Sequence, residues 1–142
     1  GGEEPDEREQ SDGVLTGHGT ILLAEDNREV RALVRNVLRR AGYEVLSAAD
    51  GEEAFRLGTE YPGPLDLLLT DLVMPGLRGE ELYRRLSERR PGLRVLLMSG
   101  YPADDVVKGE IESGAVPFLA KPFTRDQLLR KVREVIESPR EP

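Results

Sequence analysis

Cysteine is absent from this chain, and histidine occurs once in its 142 residues, at His18. Without a thiol there can be no disulfide, no thiolate metal site and no cysteine nucleophile, and one imidazole cannot build a multi-histidine zinc centre. A bound metal would have to be held by oxygen. Long apolar runs are missing too. None approaches the ~18 residues of a spanning helix, and the acidic start of the chain has neither the basic nor the apolar region of a signal peptide. The expectation is a soluble, cytoplasmic segment that makes no membrane contact. The third absence is a surplus of basic residues. The net charge is −7, and six acids against Arg8 in residues 1–12 account for −5 of it, leaving −2 for the remainder. So balanced a body lacks the clustered Lys and Arg of a sequence-independent nucleic-acid surface, and no nucleic-acid partner is expected.

The length suits one domain that buries a single sheet and its helices without staples. Residues 1–12 are acidic with almost no apolar side chain, and 1–17 reads as a disordered leader or linker. The folded domain is placed at 18–138 and a short tail at 139–142. Gly17-His18-Gly19 is glycine-rich, but it precedes the first strand, whereas a phosphate loop follows a strand and opens a helix; it reads as flexible lead-in.

From Thr20 onward strand and helix patterns alternate. An apolar run over 21–24 ends on Glu25 and Asp26, and Asn27 caps a helix with Val30, Leu33, Val34, Val37, Leu38 and Ala41 inward, stopped by Gly42. A second strand covers 43–48. Asp50 and Glu53 then have capping-box spacing at the start of a short helix that ends before Pro62, Gly63 and Pro64. In residues 65–75, LDLLLTDLVMP, the apolar run of a third strand ends at Thr70 and Asp71, and the chain then turns through Met74, Pro75 and Gly76. A helix over 80–90 and a fourth strand over 95–98 follow, the strand closing on Ser99 and Gly100. A weaker helix over 104–113 contains Gly109, which costs about 1 kcal/mol relative to Ala in a helix interior. The short strand 118–120 stops at Lys121 and Pro122, and Thr124 with Gln127 makes a capping box for the last helix.

Five such units imply an α/β fold, a doubly wound five-stranded parallel sheet with five helices. In these sheets polar groups at the carboxyl ends of the strands converge on one crevice. Those ends carry Glu25, Asp26, Asp71, Ser99 and Lys121. Each has an ordinary explanation alone, as a turn former, a helix-opening acid or a solvated cation, but together they are chemically complementary. Three carboxylates can hold a hard divalent cation, and Lys121 supplies further opposing charge, so Asp71 can stay ionised as a nucleophile toward a phosphoryl group. Ser99 can donate to a phosphoryl oxygen.

With LLAEDN, LLLTDLVMPG, VLLMSGY and FLAKPF in place, the chain from about Thr20 to Glu137 resembles the receiver domain of two-component response regulators. The resemblance implies the flavodoxin-like strand order 2-1-3-4-5. It also implies that Asp71 takes a phosphoryl group from the phosphohistidine of a histidine kinase or histidine phosphotransfer domain. Mg2+, or Mn2+ in its place, would be bound by Asp26, Asp71 and the backbone carbonyl of Val73, with Glu25 reached through water. Lys121 would pair with the acyl phosphate across a cis bond to Pro122, Ser99 with Gly100 would receive the phosphoryl group, and Ser99 and Phe118 would form the switch pair. The surface made by the helix over 104–113, the fifth strand and the last helix would report the change to an unknown downstream protein. In this reading the domain catalyses its own phosphorylation and dephosphorylation. The stretches PGLRVLLMSGYPAD and FLAKPFTRDQLLRKVREV look like receivers attached to the C-terminus of hybrid sensor histidine kinases, in which case the parent is a kinase; a free-standing regulator is the other origin.

Two residues depart from the pattern. Phe118 lacks the hydroxyl of the tyrosine often found there, so packing alone governs its rotamer. Val73, two residues past the acceptor, has no amide or acid to orient an attacking water, and slow hydrolysis is expected. Two other functions remain. Haloacid-dehalogenase-type phosphatases also combine a nucleophilic Asp, Mg2+ and a Lys, but their nucleophile follows the first strand, and this chain has no cap insertion. A receiver-like adaptor that works without phosphorylation would lack acceptor or metal residues, and none is missing here.

Overall fold

The computed structural model describes residues 15–100 and 116–138. In chain order the elements are β1 (Thr20–Ala24), α1 (Arg28–Arg40), β2 (Glu44–Ala48), α2 (Gly51–Glu60), β3 (Leu67–Asp71), α3 (Gly79–Arg89), β4 (Arg94–Ser99), β5 (Phe118–Ala120) and α4 (Arg125–Glu137). The helix expected over 104–113 lies outside the described residues, so the last helix carries the label α4.

The strands form one parallel sheet in the order β2-β1-β3-β4-β5, the flavodoxin-like arrangement expected. Every residue of β1 and β3 is buried, because helices cover both sheet faces, and this is why these strands are continuous apolar runs with no alternation. Side chains still alternate between the faces. Ile21, Leu23, Leu67 and Leu69 pack with Val34 and Leu38 of α1 and with Leu128, Leu129 and Val132 of α4. Leu22 and Leu68 pack on the opposite face with Ala54 of α2 and with Leu82 and Leu86 of α3. Removing a large side chain such as Leu69 from either layer would cost roughly 2–5 kcal/mol.

The caps form where the sequence places them, with one change. Asn27 accepts from the Val30 amide at 2.9 Å, and Thr124 and Gln127 make the full reciprocal box. Asp50 accepts from the Glu53 amide at 2.8 Å, but Glu53 reaches back to the amide of Ala49 and not to that of Asp50. Each such cap stabilises its helix by about 1 kcal/mol.

Two expectations are corrected. Leu33 is 63 % exposed, because at 100° per residue it falls on the solvent flank of the α1 apolar arc that Val34, Val37 and Leu38 define. The segment Gly17-His18-Gly19 is docked and not a loose lead-in. Leu15 is buried in the α1–α4 layer, the Gly17 amide donates to Ala41 O at 2.9 Å, and Gly19 O accepts from the Glu44 amide at 2.9 Å. Gly42 makes this approach possible: its φ is +115°, and a Cβ there would stand 2.2 Å from Gly17 O.

Candidate functional site

At the carboxyl end of β1 the chain passes straight into Glu25, whose amide donates to Ala48 O at 3.1 Å and so extends the ladder by one residue. The Glu25 carboxylate is buried, and two contacts fix its position. The Asn27 amide donates to Oε2 at 2.9 Å, and the Arg31 guanidinium, one turn into α1, donates to the Glu25 carbonyl at 2.9 Å. Asp26, the next residue, is exposed.

Asp71 is the last residue of β3, buried, opposite Met98 of β4. Its main chain is held from several sides. The Thr70 hydroxyl donates to the Asp71 carbonyl at 2.9 Å, and the Leu72 amide donates to Met98 O at 2.8 Å. Gly79 opens α3 against it: a Cβ at Gly79 would lie 2.2 Å from Asp71 O, so only glycine lets the helix start this close. Lys121 follows β5, anchored by its amide to Ser99 O at 2.9 Å, and its peptide bond to Pro122 is cis. The Lys121 ammonium lies 2.7 Å from Glu25 Oε1 and 2.7 Å from Asp71 Oδ1.

Glu25, Asp26 and Asp71 can bring one carboxylate oxygen each within 4.8 Å of one another. Burial and the hydrogen bond with Glu25 push the Asp71 carboxyl up to about 8, although Lys121 pulls the other way. Burial also acts to raise Glu25, but hydrogen bonds with Asp71, Lys121 and the Asn27 amide outweigh it and hold Glu25 below the usual carboxylate range. Lys121 is held above its ordinary value, because its two carboxylate partners overcome the burial that favours the neutral amine. Raised Asp71 and lowered Glu25 together favour one proton shared between the two carboxyls on the Asp71 side, with an ammonium beside both. Three convergent carboxylates with oxygen as the only donor type suit a hard divalent cation, which would displace that proton.

The sheet brings Glu25, Asp26, Asp71, Ser99 and Lys121 to one end of neighbouring strands, as their positions in the sequence suggest. Ser99 closes β4 and is buried, and Gly100 beside it would carry a Cβ only 3.7 Å from that of Lys121. Phe118 stands at the far end of β5, opposite Leu97, and packs on the α2–α3 layer. Val73 is 59 % exposed in the loop after β3. Three contributors escaped the sequence reading. The Asn27 amide was visible only as part of a cap, the Arg31 contact has no local pattern, and the Glu25–Lys121 pair joins residues 96 apart.

A 2-1-3-4-5 parallel sheet with an acid cluster and a lysine at its carboxyl end is a flavodoxin-like α/β fold with its polar groups pooled in one crevice, and known proteins share that fold. Residues 21–133 match the response regulator receiver domain, and the chain belongs to that family, the receivers of two-component signalling. It is 36 % identical over 123 residues to the sensor kinase CckA of Brucella abortus, a match that covers 87 % of this chain but 13 % of that kinase. It is 35 % identical over 117 residues to the response regulator receiver protein CpdR of the same organism, covering 82 % of this chain and 95 % of that protein. Among solved structures, the receiver domain of the hybrid histidine kinase CckA superposes with a TM-score of 0.71 at 36 % identity, over 84 % of this chain and all of that one. Among the described residues no helix is long and apolar enough to cross a membrane.

Proposed function

We propose that Asp71 is the phosphoacceptor of a two-component phosphorelay, taking its phosphoryl group from the phosphohistidine of a histidine kinase or histidine phosphotransfer domain. The observation that carries this reading is the contact of Lys121 with both Glu25 and Asp71, at 2.7 Å each, inside a cluster of three carboxylates. A carboxylate oxygen of Asp71 forms the new P–O bond while the P–N bond of the donor breaks, and that electron pair returns to the imidazole nitrogen. Lys121 moves from carboxylate to acyl phosphate and offsets its charge. The Ser99 hydroxyl and the Gly100 amide accommodate the phosphoryl oxygens, and Phe118 follows the movement of Ser99.

Glu25, Asp26, Asp71 and the Val73 carbonyl would hold Mg2+, or Mn2+, which when bound neutralises carboxylate charge and stabilises the transferring phosphoryl group. An apolar cavity of about 490 Å3 beside Lys121, lined by Val30, Leu33, Val34, Pro122 and Phe123, supports docking of the donor next to the acceptor. The receiver body is taken as 18–138 and its setting as the cytoplasm, where it serves as the receiver of a hybrid kinase; the 36 % identity to one such receiver supports that origin. Output would pass to a protein partner through β5, α4 and the segment between β4 and β5. The test is acetyl phosphate with Mg2+ followed by intact mass. One added phosphoryl group, absent in Asp71→Asn and without metal, is expected; no metal-dependent adduct would favour the phosphorylation-independent adaptor.

A further inference from the structure

The helices of this domain differ in how they treat their arginines. On α2, α3 and α4 most of them are laced to acids of the same helix: Arg56 to Glu53 and Glu60, Arg84 and Arg85 to Glu81, Arg133 to Glu137, while Arg89 lies over the Phe55 ring and Arg130 has no acidic partner among the described residues. On α1, Arg28, Arg31, Arg35 and Arg39 recur at i, i+3, i+7 and i+11, which puts them in one stripe, and none has an acidic partner among the described residues. The acid of α1, Glu29, lies about a third of a turn away from the stripe. Two of the four spend a nitrogen on main-chain carbonyls, Arg31 on Glu25 O and Arg39 on Val45 O. The buried Nε of Arg35 has no hydrogen-bond partner. The stripe is thus a line of cations on a body of net charge about −2, in a protein whose opposite charge is concentrated elsewhere in the same chain.

We propose that this stripe is the docking surface for the chain's own acidic segment, residues 3–12, which contains Glu3, Glu4, Asp6, Glu7, Glu9 and Asp12. The docked lead-in delivers that segment to the right place. Leu15 is buried in the α1–α4 layer, and Gly17 is hydrogen-bonded to Ala41 at the C-terminal end of α1. From there ten extended residues reach ~33 Å, whereas the thirteen residues of α1 rise about 20 Å, so the segment can run the length of the stripe. Tethering makes the encounter intramolecular, at an effective concentration in the millimolar range, enough for exposed ion pairs that are individually weak. A nucleic acid fits less well, because the four cations sit on a body that is negative overall. The stripe flanks α1 on the side away from Leu33, so its occupant need not cover the cavity beside Lys121.

The absence of cysteine makes a direct test clean. In the full chain, Gln10→Cys carries the only nitroxide label, and broadening of backbone amide resonances reports what lies near it. At about 20 mM salt the broadening is expected along α1, and 0.5 M NaCl should relieve it by screening. A second labelled chain with the six acids changed to Gln or Asn should lose the α1 broadening at low salt, with an otherwise unchanged spectrum. Broadening spread over other faces, or on α1 but indifferent to salt and to those substitutions, overturns the proposal. So does displacement of the label by a short DNA duplex at a concentration where the acidic peptide 1–12, added in trans, has no effect.

Discussion

Glu25 and Lys121, 96 residues apart in the chain, meet at 2.7 Å in the crevice at the end of the sheet, and Asp71 shares the same ammonium. The Glu25 and Asp71 carboxylates are nearly inaccessible to solvent, while the lysine is 25 % exposed. Lys121→Ala therefore leaves two buried carboxyl groups facing each other with no cation. Breaking a buried pair from one side costs about 3–5 kcal/mol, and partial exposure of the lysine lowers the expectation to ~2 kcal/mol at neutral pH. Urea unfolding checks it. Added Mg2+ should recover more stability in the variant than in the parent, since the cation would then be the sole positive charge at the cluster.

Asp71 predicts a pH dependence of opposite sign to that of an ordinary salt-bridged carboxylate. Its value rises from 3.8 unfolded to about 8 folded, so the native state holds a proton that the unfolded chain has released. The resulting stability is fully present below pH 3.8 and is lost as pH climbs toward 8. Without metal, Asp71→Asn should be more stable than the parent at pH 8, by several kcal/mol, and this advantage should shrink steadily toward pH 4. Mg2+ must compete with the same proton. Its affinity is expected to rise about tenfold per pH unit below pH 8, with uptake of metal releasing close to one proton, as calorimetry in buffers of different ionisation enthalpy would show.

Most of the fold was legible because burial and capping act locally. Leu67, Leu68 and Leu69 could only be a strand covered on both faces, and Asn27 and Thr124 announce their helices by the hydroxyl or amide they place before an apolar stripe. The site was legible for a different reason: a parallel sheet sends all its carboxyl ends to one side, so strand-end residues could be pooled before any contact was known. What could not be read depends on distance in space. Arg90, unremarkable in sequence, places its guanidinium on the carbonyls of Gly58, Tyr61 and Gly63 at 2.6–2.9 Å, gathering the end of α2 against α3. Leu33 followed the helical period yet faces solvent, because a period fixes an angle and not the width of the partner surface.

Val73 bears on how long a signal would last. Its side chain is 59 % exposed in the loop after β3, two residues beyond Asp71, and it can neither donate to nor accept from water. An asparagine there could orient a water toward the acyl phosphate, so Val73→Asn is expected to shorten its lifetime several-fold without altering the extent of initial labelling. Decay is followed by intact mass after acetyl phosphate is removed. Equal rates in the two proteins would mean that access of water at this position does not limit hydrolysis.

Gly79 ties the packing of α3 to the position of Asp71. A methyl group at Gly79 would stand 2.2 Å from the Asp71 carbonyl oxygen and 3.2 Å from the Leu72 Cα, all main-chain atoms that cannot swing aside as a side-chain end can. Either α3 starts farther from the sheet, breaking the 2.9 Å bond from the Gly79 amide to Leu72 O, or the end of β3 shifts. Gly79→Ala should thus lower stability by about 1–3 kcal/mol, the usual range for forcing extra volume into a packed site. Gly51→Ala is the informative comparison. Its Cβ would also meet a main-chain atom, Leu77 O at 2.4 Å, but at the start of α2 and not at the end of β3. If the strand end positions the acceptor, Gly79→Ala weakens Mg2+ binding and slows labelling of Asp71 at a temperature where both variants are folded, while Gly51→Ala lowers only the unfolding midpoint. Equal effects of the two on Mg2+ affinity would show that the clash at Gly79 is absorbed by α3 and never reaches Asp71.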